Sequence, residues 1–235
     1  MVVELFEPLA DNPLVRLISL MDHTPGQRQW WNLEKMRNFH SRRRSYTDHE
    51  FDSYVSERQD EQVRYAAQHR RRIIDLWRPR GLPMASHDDT THAHVEESVS
   101  NGVTIAEFPT TIEAATLASE LGMANVMGAP NLVRGSSHSG NVPAGELAER
   151  RILRALSSDY APVSLLHGAL RLVDVHGYTL PDAIATVSLN VAQMLGYDDR
   201  GVIARGKRSD LVRVRRLPDG SGAVRAVWRE GQRVS

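Results

Sequence analysis

Leu82-Pro83-Met84-Ala85-Ser86-His87-Asp88-Asp89-Thr90-Thr91 is a short apolar run that ends abruptly in an imidazole, two carboxylates and two hydroxyls. A buried strand needs only a handful of apolar residues. The polar ending therefore sits where a parallel strand meets its loop, the place where barrel enzymes keep ligand and proton-transfer groups. A plainer account exists for part of it. Asp88, Asp89 and Thr90 suit the first turn of a following helix, which favours acidic and hydroxyl groups. His87 has no such capping role and is a candidate functional residue.

The same unit recurs outward from this stretch. Upstream, Leu14-Val15-Arg16-Leu17-Ile18-Ser19-Leu20-Met21 reads as a strand that terminates in Asp22-His23-Thr24-Pro25-Gly26-Gln27, so a second strand ends in histidine. Val2, Val3, Leu5, Phe6 and Leu9 before it form an amphipathic helix stopped by Pro13. Thr47 and Glu50 make a capping box, and apolar positions from Phe51 to Trp77 predict two helices ended by Pro79 and Gly81. Downstream, His92 to Ser100 reads as a short helix closed by Asn101-Gly102. A third strand spans Val103 to Phe108, and a capping box of Thr110 with Glu113 opens a helix that stops at Gly122. Ile152 to Leu156 is a fourth strand, ending in Ser157-Ser158-Asp159-Tyr160. Helices follow over Val163 to Val173 and Leu180 to Leu195. Strand-then-helix repetition argues for an α/β chain with a parallel sheet, and polar residues at successive strand tips favour a barrel over an open sheet.

Two segments depart from this rhythm. Gly128 to Asn141 reads as a loop dense in glycine and hydroxyl residues, with Arg134, Ser136, Ser137 and His138. Glycines admit close backbone approach, and amides, serines and an arginine suit phosphate oxygens, although an ordinary surface loop has the same composition. From Arg200 the chain alternates in strand fashion between turn glycines, and Ala223 to Trp228 adds another strand, which together predict a small β element.

Composition sets limits on function. The 235 residues are 41% hydrophobic and 25% charged, with 29 basic and 29 acidic residues, so no global field draws the chain to nucleic acid or to an anionic membrane. The run Arg42-Arg43-Arg44, within a long polar segment from Arg28 to Ser45, suits either a lid over an anionic substrate or a solvated loop. The absence of cysteine excludes disulfides, thiolate metal sites and a cysteine nucleophile. No apolar run approaches the roughly 20 residues of a membrane span. The N-terminus does not resemble a signal peptide, and cytoplasm is the expected location.

Five stretches carry a resemblance to a known family. Asp199 to Val212 resembles the strand pair with which amidohydrolases re-enter their small β-sandwich. Leu20 to Gln27, His87 to Thr91, Gly128 to Asn131 with Gly140-Asn141, and Ser158 to Tyr160 look like the phosphonate-metabolism hydrolases of the carbon–phosphorus lyase pathway, within the amidohydrolase superfamily. The resemblance implies the C-terminal half of a (β/α)8 TIM-type metal-dependent hydrolase barrel, strands five to eight, over residues 1–198, and part of a β-sandwich over 199–235. It implies hydrolysis of a ribose 1-methylphosphonate 5-triphosphate with release of diphosphate. By the same likeness His23, His87 and Asp159 become ligands of a divalent metal ion (zinc, manganese, iron or magnesium), and Asp159 also the general base. Ser136, Ser137, His138 and Asn141 become holders of the triphosphate, with Arg134 and Arg28 as charge partners.

The family's first-strand histidine motif and fourth-strand carboxylate have no counterpart here. The expectation is an N-terminally truncated chain that associates with a missing half or with itself, and is poorly soluble without it. Two other readings stay open: an amidohydrolase acting on cyclic amides or amines, and a non-catalytic phosphate-binding or assembly fragment.

Overall fold

The structure, a computed structural model, describes residues 2–41, 46–137 and 140–235. Arg42, Arg43 and Arg44 lie outside the described residues. The chain divides into two compact units, Met1–Met123 with Ser139–Asn141, and Ala124–His138 with Val142–Ser235.

The first unit opens with helix α1 (Val2–Ala10), strand β1 (Ile18–Leu20), helix α2 (Leu33–Ser41) and the long helix α3 (Asp48–Trp77). Strand β2 (Met84–His87), helix α4 (His92–Ser100), strand β3 (Ile105–Glu107) and helix α5 (Ile112–Glu120) complete it. β1, β2 and β3 pair in parallel, with Leu20 opposite Ser86 and His87 opposite Glu107. Their core joins Ile74 and Trp77 of α3 to Met84, Val95, Val103, Ala106, Ala114 and Ala118. Trp77 is fully buried, and its indole N–H donates to the carbonyls of Leu82 and Pro83, so the end of α3 fixes the entry to β2.

α3 is one helix of 30 residues where two were expected. Asp48 to Trp77 contains neither Gly nor Pro, so nothing breaks it. Its buried residues are Phe51 and Val55 near one end and Ile74 and Trp77 at the other, while Gln59 and Gln62 between them donate to the Pro25 carbonyl and to Asp22. Thr47 and Glu50 form the expected capping box. Two other caps shift by one residue. Thr91 caps α4 and Thr111 caps α5, each hydroxyl accepting from the backbone N–H three residues on. Asp88, Asp89 and Thr90 are thereby left for other work.

The second unit contains strand β4 (Ala124–Gly128), helices α6 (Ala129–Arg134) and α7 (Ala144–Glu149), and strand β5 (Leu153–Ser157). Helices α8 (Ser164–His176), α9 (Leu180–Ala185) and α10 (Leu189–Met194) follow, then strands β6 (Leu211–Arg216), β7 (Gly222–Arg229) and β8 (Gln232–Arg233). β4 and β5 pair in parallel, whereas β6, β7 and β8 form a separate antiparallel sheet. Among the described residues there are thus five parallel strands rather than the four counted from sequence. β4 escaped because Ala124-Asn125-Val126-Met127-Gly128 has little β-branched character and a polar Asn125, which is buried and donates to the Ile152 carbonyl. The expected single helix over Leu180–Leu195 is interrupted at Thr186–Ser188. There the hydroxyls of Thr186 and Ser188 return to the carbonyls of Ala183 and Ile184, and the Thr186 carbonyl accepts from Leu156 of β5.

The fold is α/β with parallel strands followed by helices.

Candidate metal centre

Three of the parallel strands lead into a non-glycine residue in the left-handed region: Asp88 after β2 (φ 57), Phe108 after β3 (φ 56) and Asp159 after β5 (φ 48). Each such residue stores on the order of 1 kcal/mol of backbone strain, which persists where surrounding contacts hold it. Around Asp88 those contacts are visible. Its backbone N–H donates to the Glu107 carbonyl at 3.0 Å, and its carbonyl accepts from the Thr90 hydroxyl at 3.1 Å. The carboxyl is buried.

Two imidazoles converge on that carboxyl. His23 Nε2 lies 3.0 Å from Asp88 Oδ2, and His87 Nε2 lies 3.4 Å from the same oxygen. One ligand atom from each of His23, His87 and Asp88 falls within 4.8 Å of the other two. Two neutral imidazoles and a carboxylate are a donor set for zinc, iron or manganese, and the spacing admits one divalent ion between them. His23 is the exposed member and lines a groove of about 1110 Å³ with Ser19, Asp22, Thr24, Arg58 and Gln62, so the cluster is open on one side. Asp22 beside it is held ionised: burial raises its pKa, but hydrogen bonds from Thr24 and Gln62 outweigh this and lower it.

The far side of His87 is occupied. Its Nδ1 lies 2.8 Å from Glu107 Oε2, and the Ser19 hydroxyl donates to that oxygen at 2.6 Å. Burial disfavours the charged imidazole, yet the Glu107 hydrogen bond and the charges of Asp88 and Glu107 outweigh it and raise its pKa. For Glu107, burial raises the pKa, and the hydrogen bonds from His87 and Ser19 more than reverse that.

Arg28 is built into this wall and does not face solvent. It is buried, with φ 47, and its guanidinium donates to Asp89 Oδ1 at 2.5 Å and to the His87 carbonyl at 3.1 Å. Asp89 also accepts from Ser98 at 3.3 Å. The pair ties the β2 tip to α4, a task that absorbs the charge expected to meet substrate.

In the second unit Asp159 is exposed at the β5 tip, its N–H donating to Ser157 Oγ at 3.2 Å. A Cβ on Gly128 would lie 3.2 Å from Asp159 Oδ2, so glycine at the β4 tip leaves room for this carboxyl. Gly128 and Ala129-Pro130 open α6, so half of the expected loop is a strand tip and a helix. Arg134, at the end of α6, donates to the Tyr160 hydroxyl and to the Ser136 carbonyl. Ser136 is exposed, while Ser137 and Asn141 are half-buried. His138 lies outside the described residues.

No family model matches the chain. Its sequence is 50% identical over 232 residues, 98% of this chain, to alpha-D-ribose 1-methylphosphonate 5-triphosphate diphosphatase of Escherichia coli (strain K12). The chain is similar to that diphosphatase along nearly its whole length. It spans 61% of the length of this curated relative. Among solved structures, an uncharacterized protein aligns with a TM-score of 0.53 at 20% identity over 70% of this chain and 48% of its own, which agrees with the α/β fold. An amidohydrolase from Thermotoga maritima aligns with a TM-score of 0.43 at 15% identity, over 86% of this chain and 51% of its own.

Glu107 and Asp88 were missed as site residues from sequence. An acidic residue closing the short apolar strand Ile105-Ala106-Glu107 was the available signal for the first. For the second, the capping explanation concealed it. Among the described residues no helix is long and apolar enough to cross a membrane.

Proposed function

We propose that this chain carries part of a metal-dependent hydrolase that releases diphosphate from a ribose 1-methylphosphonate 5-triphosphate, leaving the 5-phosphate. The observation that supports it most is the His23–His87–Asp88 cluster at strand tips of a chain 50% identical to such a diphosphatase. His23 and His87 would hold a divalent ion through Nε2, with Asp88 contributing an oxygen. A divalent ion at such a site polarises phosphoryl oxygens and brings the pKa of water towards 7.

In this reading Asp159 is a ligand and the general base that takes the proton of the attacking water as the phosphoanhydride bond breaks. Its support is its place at a strand tip with a strained backbone, as for Asp88. Ser136, Ser137, His138 and Asn141 receive the triphosphate with Arg134, and Arg28 holds the β2 tip in place. Residues 1–198 are the catalytic part and 199–235 the β-sandwich part.

The test is diphosphate release from the ribose triphosphate by the purified chain, with manganese or zinc supplied and with a cyclic amide as the competing substrate. Metal-dependent release of diphosphate supports the reading. Turnover of the amide alone, or neither reaction together with no metal bound, overturns it.

A further inference from the structure

Parallel pairing sets His87 of β2 directly opposite Glu107 of β3, which sends both side chains to the same face at adjacent strand ends. One strand further, Ser19 of β1 reaches the same carboxylate. The result is a short chain across three strands, in which the Ser19 hydroxyl donates to Glu107 Oε2 at 2.6 Å and the same oxygen lies 2.8 Å from His87 Nδ1. Phe108 packs edge-on against the His87 ring with centroids 5.3 Å apart, which limits rotation about the ring's bond to its backbone. The opposite nitrogen, Nε2, is the one that faces Asp88 and His23.

An imidazole has one proton to place when neutral, and its two nitrogens are then a donor and an acceptor. A carboxylate accepts only, so an ionised Glu107 beside Nδ1 is satisfied only if that nitrogen carries the proton. The lone pair is then left on Nε2. We propose that Glu107, steadied by Ser19, is a positioning residue that fixes the His87 tautomer and ring orientation so that Nε2 is available as a donor to a divalent cation. The proposal rests on the metal-centre reading above for its functional meaning, but its structural content concerns His87 alone.

The arrangement has a consequence for substitutions at 107. Outer carboxylates of this kind typically contribute 10- to 100-fold in metal affinity. Glu107→Ala removes the acceptor and frees the ring. Glu107→Gln keeps the length and a carbonyl acceptor, and it restores the tautomer while lacking the charge. Ser19→Ala leaves the carboxylate in place but less constrained.

Two measurements test this. Nitrogen-15 spectra of the histidine rings in the metal-free chain, at a pH where His87 is neutral, read the tautomer without any variant. The proton is expected on Nδ1, with Glu107→Ala giving a mixture and Glu107→Gln returning the wild-type pattern. Competition for zinc against a chromogenic chelator then reads affinity, with a 10- to 100-fold weakening in Glu107→Ala and partial recovery in Glu107→Gln. A wild-type proton on Nε2, or a Glu107→Ala chain with unchanged tautomer and unchanged zinc affinity, overturns the proposal. If the wild type binds no zinc but holds the Nδ1 proton through Glu107, the metal-centre reading fails and the positioning role of Glu107 stands.

Discussion

Arg28 and Asp89 form a buried ion pair, 2.5 Å from guanidinium nitrogen to carboxylate oxygen, directly behind the β2 tip that carries His87. Removing one member strands the other charge in a poorly hydrated interior. Arg28→Met is expected to cost about 3–5 kcal/mol of unfolding free energy. The double variant Arg28→Met/Asp89→Leu should recover much of it, because no charge is left unpaired. Urea unfolding of the three chains measures the difference. A single variant as stable as wild type would show that the pair does not lock the tip.

Asp159 differs because it is exposed. Asparagine tolerates the left-handed backbone that Asp159 adopts, so Asp159→Asn should leave stability within about 0.5 kcal/mol. If the residue accepts the water proton, diphosphate release should fall by about 100- to 10,000-fold. Steady-state rates alongside melting curves separate the two effects.

His94 supplies a pH dependence away from the metal centre. It is half-buried at the start of α4, where its Nδ1 accepts from the Thr90 N–H at 3.2 Å. Burial, then the positive charge of Arg28, lower its pKa, with Arg70 adding to them and Asp89 and Glu97 opposing. The unfolded chain therefore binds the proton more readily. Stability from the neutral ring is fully present above the unfolded value of 6.5 and is lost as pH falls through the lower folded one. In chelator, this contribution falls between about pH 7.5 and about pH 5.5, against the opposite contribution of His87, whose pKa is raised. Relative to wild type, His94→Asn, which keeps an acceptor for Thr90, should therefore lose less stability as pH falls over that interval, which unfolding midpoints at the two pH values measure.

Gly201 tests the route from α10 into the antiparallel sheet. Its φ is 95°, and an added Cβ would meet the Leu189 backbone at 2.8 Å. Neither the dihedral nor a backbone atom yields easily, so Gly201→Ala should destabilise the chain by more than about 1 kcal/mol. Gly196→Ala serves as the comparison, since its φ of 71° carries strain but a Cβ there meets nothing within 4 Å.

The strand tips were legible because apolar runs ending in His23, His87 and Asp159 stand out against any capping account. What the sequence could not show is register. Glu107 becomes a site residue only once β3 is aligned so that it faces His87, and that alignment depends on tertiary packing. α6 was hidden for another reason: the composition of Gly128 to Asn141 is that of a loop, yet Pro130 in a first turn and the left-handed Gly135 at its end bracket a short helix. Arg28 reversed its expected role because burial is not encoded in a single basic residue.

The central claim is that His23, His87 and Asp88 hold a divalent ion. Isothermal titration of zinc into the metal-free chain, and into His23→Ala and His87→Ala, tests it most directly. The account predicts one tight site per chain that is lost or greatly weakened in both variants, with their folds retained by circular dichroism. Zinc binding that is absent from the wild type, or that is unchanged when either imidazole is removed, would contradict it.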